Sequence, residues 1–339
     1  MSKVGQSGIL NIITRLAPQI GAQVQVEPEW RMAGRIVFAS GKVSYFKKSV
    51  LDLNPLAACK IANDKGYANF FMGSLGYPVV PNSRTFFSEA FAAHLGVPAR
   101  GPGGALDYAD EIGHPVITKP NRGSQGRNVF LNRTKEETRE SLDRILHQSK
   151  VAVVESALTG TDLRIVVLDD EVLSAYQRLP LALEGNGHSS VEELFAAKKS
   201  SLEACGRGLE IDFGDARIQR QLKEQRIAPA SILPWGQPVT LLANANLSTG
   251  GEAIDCTSTI HAEYKRLAIS ITCDMGLRFC GVDLMLQGDH TLPSQNYWIL
   301  EVNSAPGLNH YIKRGSAQEA DVDQMYLKLL KRIEARPGL

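Results

Sequence analysis

Apolar and polar positions change period several times along the chain, and the changes predict its elements. Ile9, Ile12, Ile13 and Leu16 recur at helical spacing, so a short amphipathic helix opens the sequence and packs that face inward. Alternation then predicts strands around 35–38 and 43–46. From Asn54 and Pro55 onward a helical pattern runs through Ala57, Ile61, Ala62, Tyr67, Phe70, Phe71 and Leu75, with Asp64 and Lys65 in its middle and Gly76 and Pro78 at its end. A further helix is predicted over 86–96, followed by a glycine-rich turn at 100–104.

A short strand then leads to Lys119, the small-residue stretch Gly123, Ser124, Gln125, Gly126 follows, and a return strand starts at Val129. This reads as a hairpin with a glycine-permitted tip. Thr134 and Glu137 form a capping box for a helix to about Gln148. Strand character at 151–155 is followed by a hairpin, 164–168 and 172–177, turning at 169–171, with Arg178 directly after it. Ser190 and Glu193 cap another helix. Residues 205–238 give few signals and read as a lid-like or packing insert, and 244–251 as a polar loop ending in two glycines. A helix over about 262–275 leads into a strand at 279–285. A second strand runs from Trp298 to Asn303, and the last helix, about 318–334, buries Val322, Met325, Tyr326, Leu329, Leu330 and Ile333.

Composition excludes several classes. With 339 residues, 43% hydrophobic and 22% charged, the chain is that of an ordinary globular protein. A net charge of +1 provides no global field for nucleic acid or a membrane surface. The five cysteines lack zinc-type spacing, and their odd number argues against a disulfide framework. No signal-like leader and no run approaching about eighteen apolar residues is visible, so a cytoplasmic protein is expected.

The candidate chemistry sits on the last two strands. Glu301 and Asn303 are two apart and share a strand face, with Leu300 and Val302 expected on the other. Asp283 stands alone in an apolar strand, where an unpaired carboxylate would be costly. Oxygen donors of this kind suit Mg²⁺. Lys119 ends an apolar strand before the glycine loop, whose backbone N–H groups could cradle phosphates, though it is neither a Walker motif nor a dinucleotide fingerprint. Lys65 by itself reads as a solvated helix lysine, and Arg178 could pair instead with the acids at 169–171. His261 reads as a packing or capping residue, His310 could reach a substrate, and Trp235 and Trp298 are expected to pack.

Taken in order, Asn63-Asp64-Lys65, Val116-Ile117-Thr118-Lys119-Pro120-Asn121, Glu155 with Gly160-Thr161-Asp162-Leu163-Arg164, Arg178-Leu179-Pro180, the run 245–251, Gly281-Val282-Asp283 and Glu301-Val302-Asn303-Ser304-Ala305-Pro306-Gly307 resemble an ATP-grasp ligase. The resemblance is to the module shared by cyanophycin synthetases and glutathione-synthetase-like fusion proteins. It spans roughly residues 42–332. It implies an α+β ATP-grasp fold with two lobes clamping ATP: a short segment 1–60, lobe one at about 61–155 and lobe two at about 156–335. It implies that Lys65 and Lys119 contact the phosphates, that Gly123, Ser124, Gln125 and Gly126 close over them, and that Val154 and Glu155 border the adenine pocket. Asp283, Glu301 and Asn303 would hold two Mg²⁺ ions, with Mn²⁺ able to substitute. Arg178 would face the transferred phosphoryl group and Asn246 would line the reaction centre.

The reaction implied activates a carboxylate as an acyl phosphate, which an amine then displaces, and it needs mainly electrostatic stabilisation from the protein. The substrates expected are a small carboxylate and an amine, amino acids or a short peptide, with no nucleic acid or membrane partner. A homodimer is the base-rate expectation. Alternatives are a ligase acting on a peptide or protein, a small-molecule kinase on the same fold, and a non-catalytic ATP-binding module.

Overall fold

The computed structural model describes residues 8–204, 208–209, 211–293, 296–307 and 316–335. Helix α1 (Gly8–Leu16) buries the predicted stripe together with Leu10. An antiparallel meander follows: β1 (Gln23–Val26), β2 (Ala33–Val37), β3 (Val43–Lys47) and β4 (Val50–Leu51). The helical pattern beyond it is broken in two, α2 (Leu56–Ala62) and α3 (Lys65–Ser74). Asp64 is the reason. Its backbone is extended and its carboxylate accepts the Tyr67 N–H, so it caps α3 rather than sitting inside one helix. Lys65 therefore occupies the first turn of α3.

Lobe one differs from the sequence reading in two places. The stretch expected as one helix is β5 (Arg84–Phe87) followed by α4 (Glu89–His94). The glycine-rich stretch opens α5 (Pro102–Ile112), with Gly101 as N-cap and proline in the first turn. A Cβ on Gly104 would lie 1.9 Å from the Ala99 carbonyl oxygen, so the close approach there requires glycine. β6 (Val116–Pro120), β7 (Phe130–Asn132), α6 (Lys135–Gln148) and β8 (Val151–Ser156) follow. The Thr134 half of the capping box forms, its Oγ1 accepting the Glu137 N–H, while the Glu137 carboxylate reaches one residue beyond the N-cap and accepts the Arg133 N–H. The four strands pair antiparallel in the order β5-β8-β6-β7 and pack Phe86, Val116 and Val154 against Leu142 and Ile145 of α6.

Lobe two begins with the predicted hairpin, β9 (Thr161–Leu168) and β10 (Glu171–Leu179). An insert follows, made of β11 (Ala182–Glu184), α7 (Val191–Ala204), α8 (Ala216–Glu224) and β12 (Pro238–Thr240). It has a core of its own, including Phe195, Ile218, Leu222 and Val239. Helix α8 escaped the sequence reading because its apolar side is only Ile218 and Leu222. Trp235, expected to pack, is 81% exposed on the insert; Trp298 is half-buried. The chain returns through β13 (Glu252–Asp255), α9 (Ala262–Asp274), β14 (Phe279–Gln287), β15 (Asn296–Asn303) and α10 (Ser316–Glu334).

The five strands β13-β10-β9-β14-β15 form one antiparallel sheet. Leu163, Ile165, Val167, Cys280, Val282 and Leu284 fill one face, beneath Tyr264, Ala268 and Ile271 of α9. On the opposite face Val166, Leu168, Tyr176 and Phe279 pack with Ile13 of α1 and Val322 and Leu329 of α10. The rest of that face is polar. Burial pushes the Cys256 thiol up to about 11 and that of Cys280 to about 12, so both stay protonated packing groups. No helix among the described residues is long and apolar enough to cross a membrane.

Candidate functional site

Strand register assembles the polar end of the sheet. Tyr176 of β10 lies opposite Arg164 of β9, Arg164 opposite Asp283 of β14, and Asp283 opposite Glu301 of β15. One step along, Arg178 lies opposite Asp162. Directly paired residues share a face, so Tyr176, Arg164, Asp283 and Glu301 form one row across four strands, two carboxylates side by side next to an arginine, with Arg178 and Asp162 in the adjoining row. Arg164 grips Asp283 with a two-pronged contact, Nε to Oδ1 and Nη2 to Oδ2, both 2.5 Å. Arg178 Nη1 reaches the same carboxylate at 3.0 Å while its Nη2 holds Asp162 at 2.7 Å. The pairing of Arg178 with the acids at 169–171 does not form; Asp169 is taken by Arg278 instead.

Glu301 and Asn303 converge as expected, the amide Nδ2 donating to Glu301 Oε1 at 2.9 Å and approaching Asp283 Oδ2 at 3.4 Å. Leu300 does not pack on the opposite face as expected. The register slips between Asp283–Glu301 and Leu284–Ile299, leaving Leu300 as the extra residue of a bulge. Ile299 and Val302 enter the core, and Leu300 joins Glu301 in lining the cleft between the sheets.

From across that cleft come two lysines. Lys119 is buried and contacts Glu155 at 2.5 Å, and Ser83 Oγ donates to the other Glu155 oxygen at 3.0 Å. Lys65 is not a solvated lysine: its side chain is 14% exposed and its Nζ lies 3.5 Å from Glu301 Oε2 and 3.4 Å from the Gly123 carbonyl oxygen. Lys65, Lys119, Glu155, Leu300 and Glu301 surround a cavity of about 10 Å³, room for about one water. Val154 does not line it with its side chain. Alternation turns that side chain into the lobe-one core, and only Glu155 faces the cleft.

Burial alone would push the Glu301 carboxyl up. The charges of Lys65 and Arg164 and the Asn303 hydrogen bond outweigh it and hold the group well below the usual carboxylate range. For Asp162, burial wins over Arg178 and raises its carboxyl to about 6.

The glycine loop lies against lobe two. Ser248 Oγ donates to the Gln125 carbonyl oxygen at 3.1 Å, and Arg217 Nη1 to that of Gly126 at 2.8 Å. Ser124 is exposed at the tip. Asn246 caps a 3-10 turn (Leu247–Thr249), accepting the Ser248 N–H, and its Nδ2 would be 3.1 Å from a Cβ on Gly126. A second cavity, of about 90 Å³, opens between Ile117, Phe130, Leu158, Arg217 and Asn244. His261 caps α9, accepting the Glu263 N–H, and His310 lies outside the described residues. The sequence reading gave no role to Asp162, Arg164 or Arg217. The first two carried a signal, charges at alternate positions at the start of an apolar strand.

The donor set has the character of a hard-cation site. Two carboxylates and an amide stand within hydrogen-bonding distance, and their cationic neighbours keep Glu301 ionised, the form a metal requires. Among the described residues no group of three or more His, Cys, Asp or Glu side chains gathers to hold a metal. A cation here would complete its shell with water or phosphate oxygens, as Mg²⁺ does and as Zn²⁺ in a protein cage does not. The residues fit Mg²⁺.

A two-sheet cleft with lysines on one side and a carboxylate–amide set on the other defines a grasp-type nucleotide fold. A model of the RimK-like ATP-grasp domain matches residues 99–216 and 243–326, and the chain belongs to that family. It is 34% identical over 234 residues to the glutathione biosynthesis bifunctional protein GshAB of Pasteurella multocida (strain Pm70), covering 66% of this chain and 31% of that protein. To the cyanophycin synthetase of Geminocystis herdmanii (strain PCC 6308) it is 31% identical over 237 residues, covering 65% and 27%. A crystal structure of a bifunctional glutathione synthetase from Pasteurella multocida superposes with a TM-score of 0.58 at 26% identity, covering 95% of this chain and 44% of that one. The chain spans about a third of the length of these curated relatives.

Proposed function

We propose that the chain is an ATP-dependent carboxylate–amine ligase that activates the acid as an acyl phosphate and releases ADP and phosphate. The observation that carries this is the cleft itself, where Lys65 lies 3.5 Å from Glu301, Lys119, paired with Glu155, lines the same cavity, and Arg164 and Arg178 hold Asp283 beside it. In this reading Lys65 and Lys119 bind the nucleotide phosphates and Gly123, Ser124, Gln125 and Gly126 cover them. Glu155 borders the adenine pocket, where Val154 contributes backbone only. Asp283, Glu301 and Asn303 hold two Mg²⁺ ions, replaceable by Mn²⁺, which neutralise phosphate charge when bound. Arg178 and Asn246 serve the reaction centre, Arg178 stabilising negative charge on the transferred group.

The substrates are amino acids or a short peptide, by analogy with relatives named for glutathione and cyanophycin synthesis. Lobe boundaries near residues 60 and 155, a cytoplasmic site of action and a homodimer complete the proposal. The test is magnesium-dependent ADP release from a panel of amino acids and dipeptides. The expected result is release that needs both an acid and an amine and yields an amide. Failure of the purified chain to bind ATP with Mg²⁺, or ADP release with a stable phosphorylated product and no use of the amine, would refute it.

A further inference from the structure

The insert between β10 and β13 belongs to lobe two by sequence, yet α8 is fastened to lobe one. Arg220 reaches Glu140 of α6 at 2.5 Å and Asn132 of β7 at 3.3 Å, and Arg133 pairs with Glu224. With Ile218 and Leu222 the helix faces its own small core. Arg217 sits between these attachments. Its Nε and Nη2 are committed to Asp215, at 2.9 and 3.0 Å, and Asp215 also caps the helix. This fork fixes the guanidinium plane, and the remaining nitrogen, Nη1, donates to the Gly126 carbonyl oxygen. Gly126 has φ +65°, and a Cβ on it would lie 2.4 Å from Asn244 Nδ2, a buried donor with no partner. Ser248 holds the neighbouring carbonyl from the other side.

We propose that the insert is a latch for the glycine loop and that Arg217 is its positioning residue. Arg217 holds the loop down by one charge-assisted hydrogen bond, and Gly126 alone leaves room for the loop to seat against Asn244. The residue lies just beyond the first stretch that the family model matches. What the latched loop covers rests on the nucleotide reading above; the latch does not.

Arg122 and Arg127 flank the loop and are exposed, so trypsin reports its opening. Limited proteolysis of the full chain without nucleotide, with fragments assigned by mass, should cut after Arg127 about tenfold faster in Arg217→Met than in wild type, the loss expected for one hydrogen bond from a charged donor. Gly126→Ala, which attacks the contact from the loop side, should show the same rise. Should Arg217→Met melt below wild type, the Gly126→Ala result decides. Wild-type cutting rates in a variant that melts with wild type overturn the latch. Given the latch, the KM for ATP rises about tenfold while kcat changes less. Faster cutting with an unchanged KM supports the latch and removes the nucleotide from beneath the loop.

Discussion

One face of the five-stranded sheet has two ends of opposite character. At one end Val166, Leu168, Tyr176 and Phe279 disappear beneath α1 and α10. At the other, two or so residues along the same strands, Asp162, Arg164, Arg178 and Asp283 are nearly as deep, with Asp283 1% and Arg178 8% exposed. Burying an ion costs several kcal/mol, and pairing seldom returns more than that. Apolar residues of the same size would stabilise the sheet at least as well. The apolar end thus holds the lobe together, and the ionic end stores charge in fixed positions at the cost of stability. Fixed charge in a low-dielectric cleft is what a reaction between anions requires.

Substitutions at the two ends should separate these roles. The largest effect is expected from Glu301→Ala: turnover falls by about a thousandfold, while the unfolding midpoint moves little. Wild-type rates in the folded variant would rule out the proposed site. At the apolar end Leu329→Ala should do the reverse, losing about 2–5 kcal/mol in chemical denaturation and leaving the kcat of the folded fraction unchanged; a matching loss of kcat would dissolve the distinction.

The ionic end should also carry a pH signature. The Asp162 carboxyl is raised to about 6 in the folded state, so between pH 4 and 6 the folded chain holds a proton that the unfolded chain has released. This group's contribution is fully present at low pH and is lost as pH rises through 6, up to about 3 kcal/mol. Glu301, held low, acts in the opposite sense at more acid pH. Stability measured across pH 4 to 7 should therefore decline less in Asp162→Asn than in wild type; parallel curves would contradict the assignment. The smallest effect belongs to a residue at neither end: Thr134→Ala removes the α6 cap and should cost about 1 kcal/mol with no change in kinetics.

Much of this was legible from pattern alone. The β9–β10 hairpin, α6 with its Thr134 cap, α9, α10 and the pairing of Glu301 with Asn303 follow from periods of two and 3.6 and from capping chemistry. The misreadings have local causes. Asp64 interrupts a run that looks continuously helical, Phe86 and Phe87 fit a strand as well as a helix, and α8 has too narrow an apolar side to register. Leu300 was misplaced because a bulge in β15 shows only against its partner strand. Residue order alone shows which positions can bear charge and at what spacing, because side-chain direction along one strand depends on that strand alone. Which charges meet is visible only once the strands are paired and the two sheets face each other. The Arg164–Asp283 pair, Lys65 against Glu301 and the hold of Arg217 on Gly126 join residues 91 to 236 positions apart, and register and packing, properties of pairs of segments, bring them together.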